Sequence, residues 1–169
     1  MEGVVNVNKE NIFQELLRHI EGHQCDHKTP LRAHLAWESL CAGYGQNPDD
    51  FFETMPAEGN QTIEISDLTF CSICEHHLLP FWGIASISYK PQKLILGLSK
   101  AGRVLEVFAR RIQIQERINQ QVAEYLFEKL SPKWVEVVTE AFHLCMSSRG
   151  VMQVSAKTKV IQRIARIAK

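Results

Sequence analysis

Hydrophobic spacing along the chain switches from helical to strand-like, back to helical, and to strand-like again, which rules out both an all-helical bundle and an all-strand sandwich. Ile12, Phe13, Leu16, Leu17 and Ile20 recur at the intervals of an amphipathic helix, predicted over 9–21, with Asn8 or Asn11 as its cap and Gly22 as its stop. Thr29-Pro30-Leu31-Arg32 has the cap and first-turn proline of a second helix, running to about Cys41 and ending at Gly43. Breakers and acids over 44–60 read as a loop. Thr62 to Phe70 reads as a strand with an irregularity at Ser66-Asp67, and Gly83 to Tyr89 alternates as a second strand. Leu94-Ile95-Leu96 is a short extended piece. Ser99 is placed to cap a helix through about Arg111, and Ile114, Ile118, Val122, Leu126 and Leu130 recur every fourth residue, predicting a helix over about 115–130 that Ser131-Pro132 ends. Trp134 to Thr139, continuing towards Leu144, and Val151 to Val160 complete the set as strands.

Two strands, two helices and two strands after a helical arm predict an α+β fold with mainly antiparallel pairing. A helical region over 1–58 and a sheet-bearing region over 59–169 are expected to form one structural domain. Four strands leave two free edges, an argument for covering them by self-assembly. The 169 residues are 45% apolar, enough for a substantial core, and the 19 bases balance the 19 acids. A formally neutral chain lacks the basic excess of a nucleic-acid binder. No stretch approaches the roughly 18 apolar residues of a membrane span, and the N-terminus has no secretory pattern, so a cytoplasmic protein is expected. Five cysteines, at 25, 41, 71, 74 and 145, are an odd number that favours thiols or metal ligands over a disulfide framework.

The densest chemistry lies in Cys71-Ser-Ile-Cys74-Glu75-His76-His77-Leu78-Leu79-Pro80, with a second cluster in His143-Leu-Cys145-Met-Ser-Ser-Arg149-Gly150. Cys74 and His77 have the spacing that lets one tight turn offer sulfur and nitrogen to one ion, and Cys145 is a candidate third ligand from the later strand. Zinc suits this donor set: three protein ligands leave a position for water, whereas Cys71 as a fourth would close the site into a structural one. Spacing alone leaves both arrangements open. His143 and Cys145 are two apart on a predicted strand and so share a face, which puts a histidine beside the metal without binding it. Lys100 and Arg103 lie one turn apart near a helix N-terminus, where backbone N–H groups also face anions, although a solvated helix face has the same pattern. Gln115-Glu116-Arg117 offers a carboxylate and an amide of the kind that reads a guanine edge, and also resembles any polar helix start.

These segments together resemble the GTP cyclohydrolase I family over most of the chain. The matching motifs are Cys74-Glu75-His76-His77-Leu78-Leu79-Pro80, Gly97-Leu98-Ser99-Lys100 with Arg103, Phe108-Ala109-Arg110-Arg111, Gln113-Ile114-Gln115-Glu116-Arg117, and His143-Leu144-Cys145-Met146 with Arg149-Gly150, with Thr29-Pro30-Leu31-Arg32 upstream. The resemblance implies the tunnelling fold, in which ββααββ units ring up around a central channel. It implies a homo-oligomer, a decameric double ring with active sites at subunit interfaces. It implies GTP as substrate and Zn2+ held by Cys74, His77 and Cys145, with Cys71 outside the ligand set. His76 and His143 are implied as proton-handling groups, with Ser99 assisting at the ribose. Glu116, with Gln115, is the implied guanine anchor, and Arg32, Lys100, Arg103 and Arg149 are the implied triphosphate contacts, some from neighbouring subunits. The implied reaction opens the imidazole ring of GTP at C8, releases formate and gives 7,8-dihydroneopterin triphosphate. The chain departs from the family after Gly150: only part of the expected Ser/Thr-rich strand remains in Ser155–Thr158, and Val160 to Lys169 reads as a basic amphipathic tail, a subunit contact in preference to a membrane-surface helix. A non-catalytic zinc module would be expected to lack His76 or His143, and both are present.

Overall fold

A computed structural model describes residues 9–20 and 26–166. Asn8, Gly22, His23, Cys25 and the end of the tail lie outside the described residues. The chain divides into two compact units, at Leu40/Cys41. In the first, helix α1 (Lys9–His19) packs on helix α2 (Thr29–Leu40). Ile12 and Leu16 of α1, and Ile20 just after it, are exposed, so the apolar stripe extends beyond what α2 covers.

The second unit is a five-stranded sheet with two helices on one face. Its strands are β2 (Ile63–Cys74), β3 (Pro80–Lys90), β5 (Ile112–Gln113), β6 (Trp134–His143) and β7 (Thr158–Ala165), in the spatial order β5-β2-β3-β6-β7. All pairs are antiparallel except β2 with the two-residue β5. Strand β1 (Thr54–Pro56) pairs separately with β4 (Leu94–Leu96). Helix α3 (Leu98–Ala109) covers β2, and α4 (Gln115–Leu130) covers β6 and β7. The predicted irregularity at Ser66-Asp67 is a bulge: pairing shifts between Ile65 and Leu68, and Asp67 takes a φ of 57°. Such an extra residue re-aims the strand that follows it.

The core forms where the inward residues of β3 and β6 meet the apolar faces of the helices. Phe81, Ile87, Tyr89, Val104, Leu105, Ile118, Val122, Leu126, Val135 and Val137 are fully buried. The Tyr89 hydroxyl, inside this core, accepts from Leu96 N–H at 2.9 Å and so ties β4 to β3. Gly83 lets β3 and β6 close up, because a Cβ there would stand 1.9 Å from the Glu140 carbonyl oxygen.

Several expectations change: the span 44–60, read as a loop, holds the short strand β1, the sheet has five strands instead of four, and Cys145 lies past the end of β6 instead of sharing a strand face with His143. The last strand starts at Thr158, and the segment read as a basic tail is this strand, bonded along β6 from Ala141 to Trp134. Ile161 and Ile164 are spaced as on a helix, but alternate burial along β7 puts Val160, Gln162 and Ile164 on the inner face. The polar Gln162 at an inward position hid the two-residue period. Ser99 is also not a cap: α3 begins at Leu98 with Gly97 in the cap position, and Ser99 is exposed in the first turn.

Candidate active site and metal centre

Strand β2 ends at Cys74, and the chain reverses at once. Leu78 N–H donates to the Cys74 carbonyl at 2.8 Å and Cys74 N–H donates to the Leu79 carbonyl at 2.9 Å, closing Glu75-His76-His77 into a tight loop. Leu78 takes a left-handed φ of 53° to complete it. The loop is clamped from the side: Glu75 N–H donates to Gln113 O at 3.0 Å, and the Glu75 carboxylate receives Arg117 of α4 at 2.6 and 3.2 Å. That forked bond holds the Glu75 carboxyl below its usual range.

On the neighbouring strand, β6 delivers His143 and then breaks into the one-turn helix α5 (Leu144–Ser147), which swings Cys145 towards the loop. The donor atoms of Cys74, His77 and Cys145 all lie within 4.8 Å of one another. No other group of three or more potential ligands is found among the described residues. Cys71 stays out, since it lies three positions before Cys74 on β2, and an odd offset puts its side chain on the opposite face of the strand. His76 also stays out of the group, although its Nδ1 is 3.8 Å from the Cys74 sulfur. The cluster therefore has three protein donors, the open arrangement of the two that spacing allowed.

The chemistry of the donors tests whether a metal fits. Two thiols and an imidazole at this separation are a set that suits zinc. Burial and the adjacent Cys74 push the Cys145 thiol up, with Arg149 opposing. A cation between the sulfurs reverses that penalty, because a thiolate is favoured by neighbouring positive charge. The residues fit the group.

A cavity of about 230 Å³ opens beside the cluster, lined by His76, Gln115, Glu116, His143 and Met146 as well as by the three donors. His143 is stacked flat on Phe81, with ring centroids 4.5 Å apart and an interplanar angle of 5°. Burial lowers its pKa, with the Glu116 carboxylate opposing, so the neutral ring is favoured near pH 7. Gln115 is buried and reaches His143, while Glu116, next along α4, is exposed at the rim.

The structure thus brings together Cys74, His76, His77, Gln115, Glu116, His143 and Cys145. Arg149 follows α5, close enough for its charge to act on Cys145. Ser99, Lys100 and Arg103 do not line this cavity. They sit at the N-terminal end of α3, about 15 Å of helix from the Arg110-Arg111 end that leads into β5 and the loop. There Lys100 pairs with Glu53 at 2.9 Å, and Arg103 lies over the Phe51 ring. Arg32, in the first unit, bonds Asp26 at 3.1 Å. Of the histidine-rich stretch, His19 and His27 are described and exposed. Sequence reasoning assigned no role to Phe81, Asn119 or Thr139, because each acts through contacts distant in the chain.

The profile of the family described as GTP cyclohydrolase I matches residues 9–167. A GTP cyclohydrolase 1 of Campylobacter lari is 46% identical over 136 residues, covering 78% of this chain and 70% of its own length. One from Campylobacter jejuni (strain RM1221) is 44% identical over 133 residues with the same coverage, and one from Deinococcus radiodurans is 44% identical over 133 residues, covering 62% of its length. Among solved structures, the archaeosine synthase QueF-Like in the apo form superposes with a TM-score of 0.54 at 12% identity, over 66% of this chain and all of that one, which shows a shared tunnelling fold. The match to the family over residues 9–167 and the identity to its members agree: the chain belongs to the GTP cyclohydrolase I family.

Proposed function

We propose that the cavity takes the guanine and ribose of GTP and opens the imidazole ring by hydrolysis at C8, releasing formate and forming 7,8-dihydroneopterin triphosphate. The observation that carries this reading is the convergence of a three-donor cluster, two further histidines and a rim carboxylate on one cavity. Cys74, His77 and Cys145 would hold zinc, which supplies, when bound, a water acidified towards neutral pH. The chain's own groups do the rest. Glu116, exposed at the rim, accepts from the ring N–H and exocyclic amine of guanine together. His76, at the tip of the β2–β3 loop beside Cys74, moves a proton at the opening imidazole. His143, flat against Phe81 in the same cavity, handles protons at the ribose as that ring opens.

The cavity is smaller than the about 300–1,000 Å³ that encloses a drug-sized ligand, so one copy offers only part of a GTP site. Ser99, Lys100 and Arg103, remote from it on their own chain, are proposed to serve a neighbouring copy: Ser99 at the ribose, the two cations at the triphosphate with Arg149 and Arg32. A homo-oligomer follows, with a decameric double ring as the expected form. Zinc-loaded protein incubated with GTP should yield formate and, after oxidation, a fluorescent pterin. Absence of both products with zinc in place would refute the reading.

A further inference from the structure

The amide of Gln115 is oriented by two peptide carbonyls, acceptors that have only one role. Its Nε2 lies 3.2 Å from the Thr139 carbonyl, 2.9 Å from Thr139 Oγ1 and 3.0 Å from the Thr158 carbonyl. Peptide carbonyls only accept, so this end of the side chain is the NH2 group. The opposite rotamer would set an amide oxygen against two carbonyl oxygens inside the protein. Oε1 therefore faces outward, 2.9 Å from His143 Nε2. An amide oxygen also only accepts, so Nε2 must carry the imidazole proton.

A second amide fixes the next link in the same way. Asn119, one turn on from Gln115 along α4, donates through Nδ2 to the Val137 carbonyl at 3.0 Å and the Val160 carbonyl at 3.0 Å. Its Oδ1 thus accepts the Thr139 hydroxyl proton at 2.7 Å, which leaves Thr139 Oγ1 free to accept from Gln115. The direction of every bond descends from strand carbonyls of β6 and β7. Gln115, Asn119 and Thr139 are at most 2% exposed, and no buried side-chain N or O among the described residues lacks a partner. Phe81, stacked at 4.5 Å, holds the plane of the imidazole. Among the described residues Nδ1 of His143 makes no hydrogen bond, and the ring lines the cavity.

We propose that Gln115 is a positioning residue: steered by Asn119 and Thr139, it keeps the His143 proton on Nε2 and presents the Nδ1 lone pair to the substrate. The assignment rests, for its role in turnover, on the reading that His143 handles a proton. That proton leaves the substrate, enters at Nδ1 to give the imidazolium, and is returned from Nδ1. The Nε2–H···Oε1 bond persists throughout, so no protein group has to turn during the transfer. The two N–H donors of Gln115 face three acceptors, so its side chain has no donor left for guanine, and base recognition at this helix start falls to Glu116.

The test is 15N NMR of imidazole-labelled, zinc-loaded protein without GTP, at a pH above the imidazole titration, with the His143 signals identified by their loss in His143→Gln. The expected spectrum has a protonated Nε2 and a bare Nδ1; a proton on Nδ1 overturns the proposal. Gln115→Met, which removes the acceptor, should lose this signature, keep its zinc, and lower kcat on the order of 10–100-fold with KM for GTP unchanged, a share of the 10²–10⁴ that a positioned acid–base group supplies. A raised KM with unchanged kcat would instead make Gln115 a direct ligand for the base and overturn the proposal. The wild-type spectrum is decisive even if that variant does not fold. Failure of wild-type zinc protein to release formate refutes the functional reading and not the tautomer, so the two failures are distinguishable.

Discussion

His76 and His77 are adjacent in sequence and both exposed, but only His77 falls within the donor group. The difference follows from the loop closed on Cys74, which turns the two rings to a centroid separation of 6.3 Å in an edge-to-face arrangement. His76→Ala should retain zinc stoichiometry by metal analysis while turnover of GTP falls about 10²- to 10⁴-fold. Full turnover in a zinc-replete variant would remove His76 from the mechanism. Cys145→Ala should behave in the opposite order, losing zinc first and activity as a consequence, since a three-donor site reduced to two has no comparable hold on the ion. The Cys74–His77 half of the candidate donor group was legible in the sequence because a thiol and an imidazole on one turn have a fixed spacing. The orientation of His143 was not, since it depends on Gln115, Thr139 and Asn119 meeting across 24 and 20 residues of chain.

Among the elements, the close approach of β3 to β6 is the least forgiving contact. Gly83→Ala would place a methyl 1.9 Å from the Glu140 carbonyl oxygen and 2.8 Å from Ala141 Cα, so the strands must part. A loss of about 1–3 kcal/mol in chemical denaturation is expected; an unchanged midpoint would mean the strands adjust freely. The turn Pro48–Phe51 is tied to α4 through Asp49, which receives Tyr125 at 2.8 Å and Lys129 at 2.8 Å. The bonds to Lys129 and Tyr125 depress the Asp49 pKa below its ordinary 3.8. A depressed carboxyl stabilises above its unfolded pKa, and that contribution disappears as pH falls through the folded value. Asp49→Asn should therefore destabilise most near neutrality, with the difference from wild type shrinking below about pH 4 in thermal melts. A pH-independent difference would mean the carboxylate charge is not what matters. Helix α4 was readable to the residue because its apolar positions recur every fourth residue from Ile114. Strand β5 was not readable, because two residues carry no period, and β7 was misassigned where Ile161 and Ile164 imitate a helix.

For the molecule as a whole, Trp82 and Ile84 of β3 and Ile161 of β7 stand exposed on the sheet face away from the helices. The cations at the N-terminal end of α3 do not line the cavity beside the donor cluster of their own chain. Both facts agree with the proposed assembly of several copies. Two inactive variants, His76→Ala and Lys100→Ala, should regain part of their activity when dissociated and reassembled together, because some mixed interfaces then contain an intact loop facing an intact lysine. No recovery would place both groups in a site built by one chain. No helix among the described residues is long and apolar enough to cross a membrane.

The donors come from two different connections: the reversal between β2 and β3, and the break that ends β6. An ion held there would act as a staple across the mouth of the sheet and would steady the 148–157 segment, which the protein itself fastens to α5 through Ser148 N–H to the Leu144 carbonyl at 2.9 Å and Gln153 N–H to the Met146 carbonyl at 2.8 Å, and to β6 through Lys157 and Glu140 at 3.2 Å. Stripping the metal with a chelator should thus expose that segment to limited proteolysis long before the helices unfold, making cleavage there a gauge of occupancy that needs no substrate.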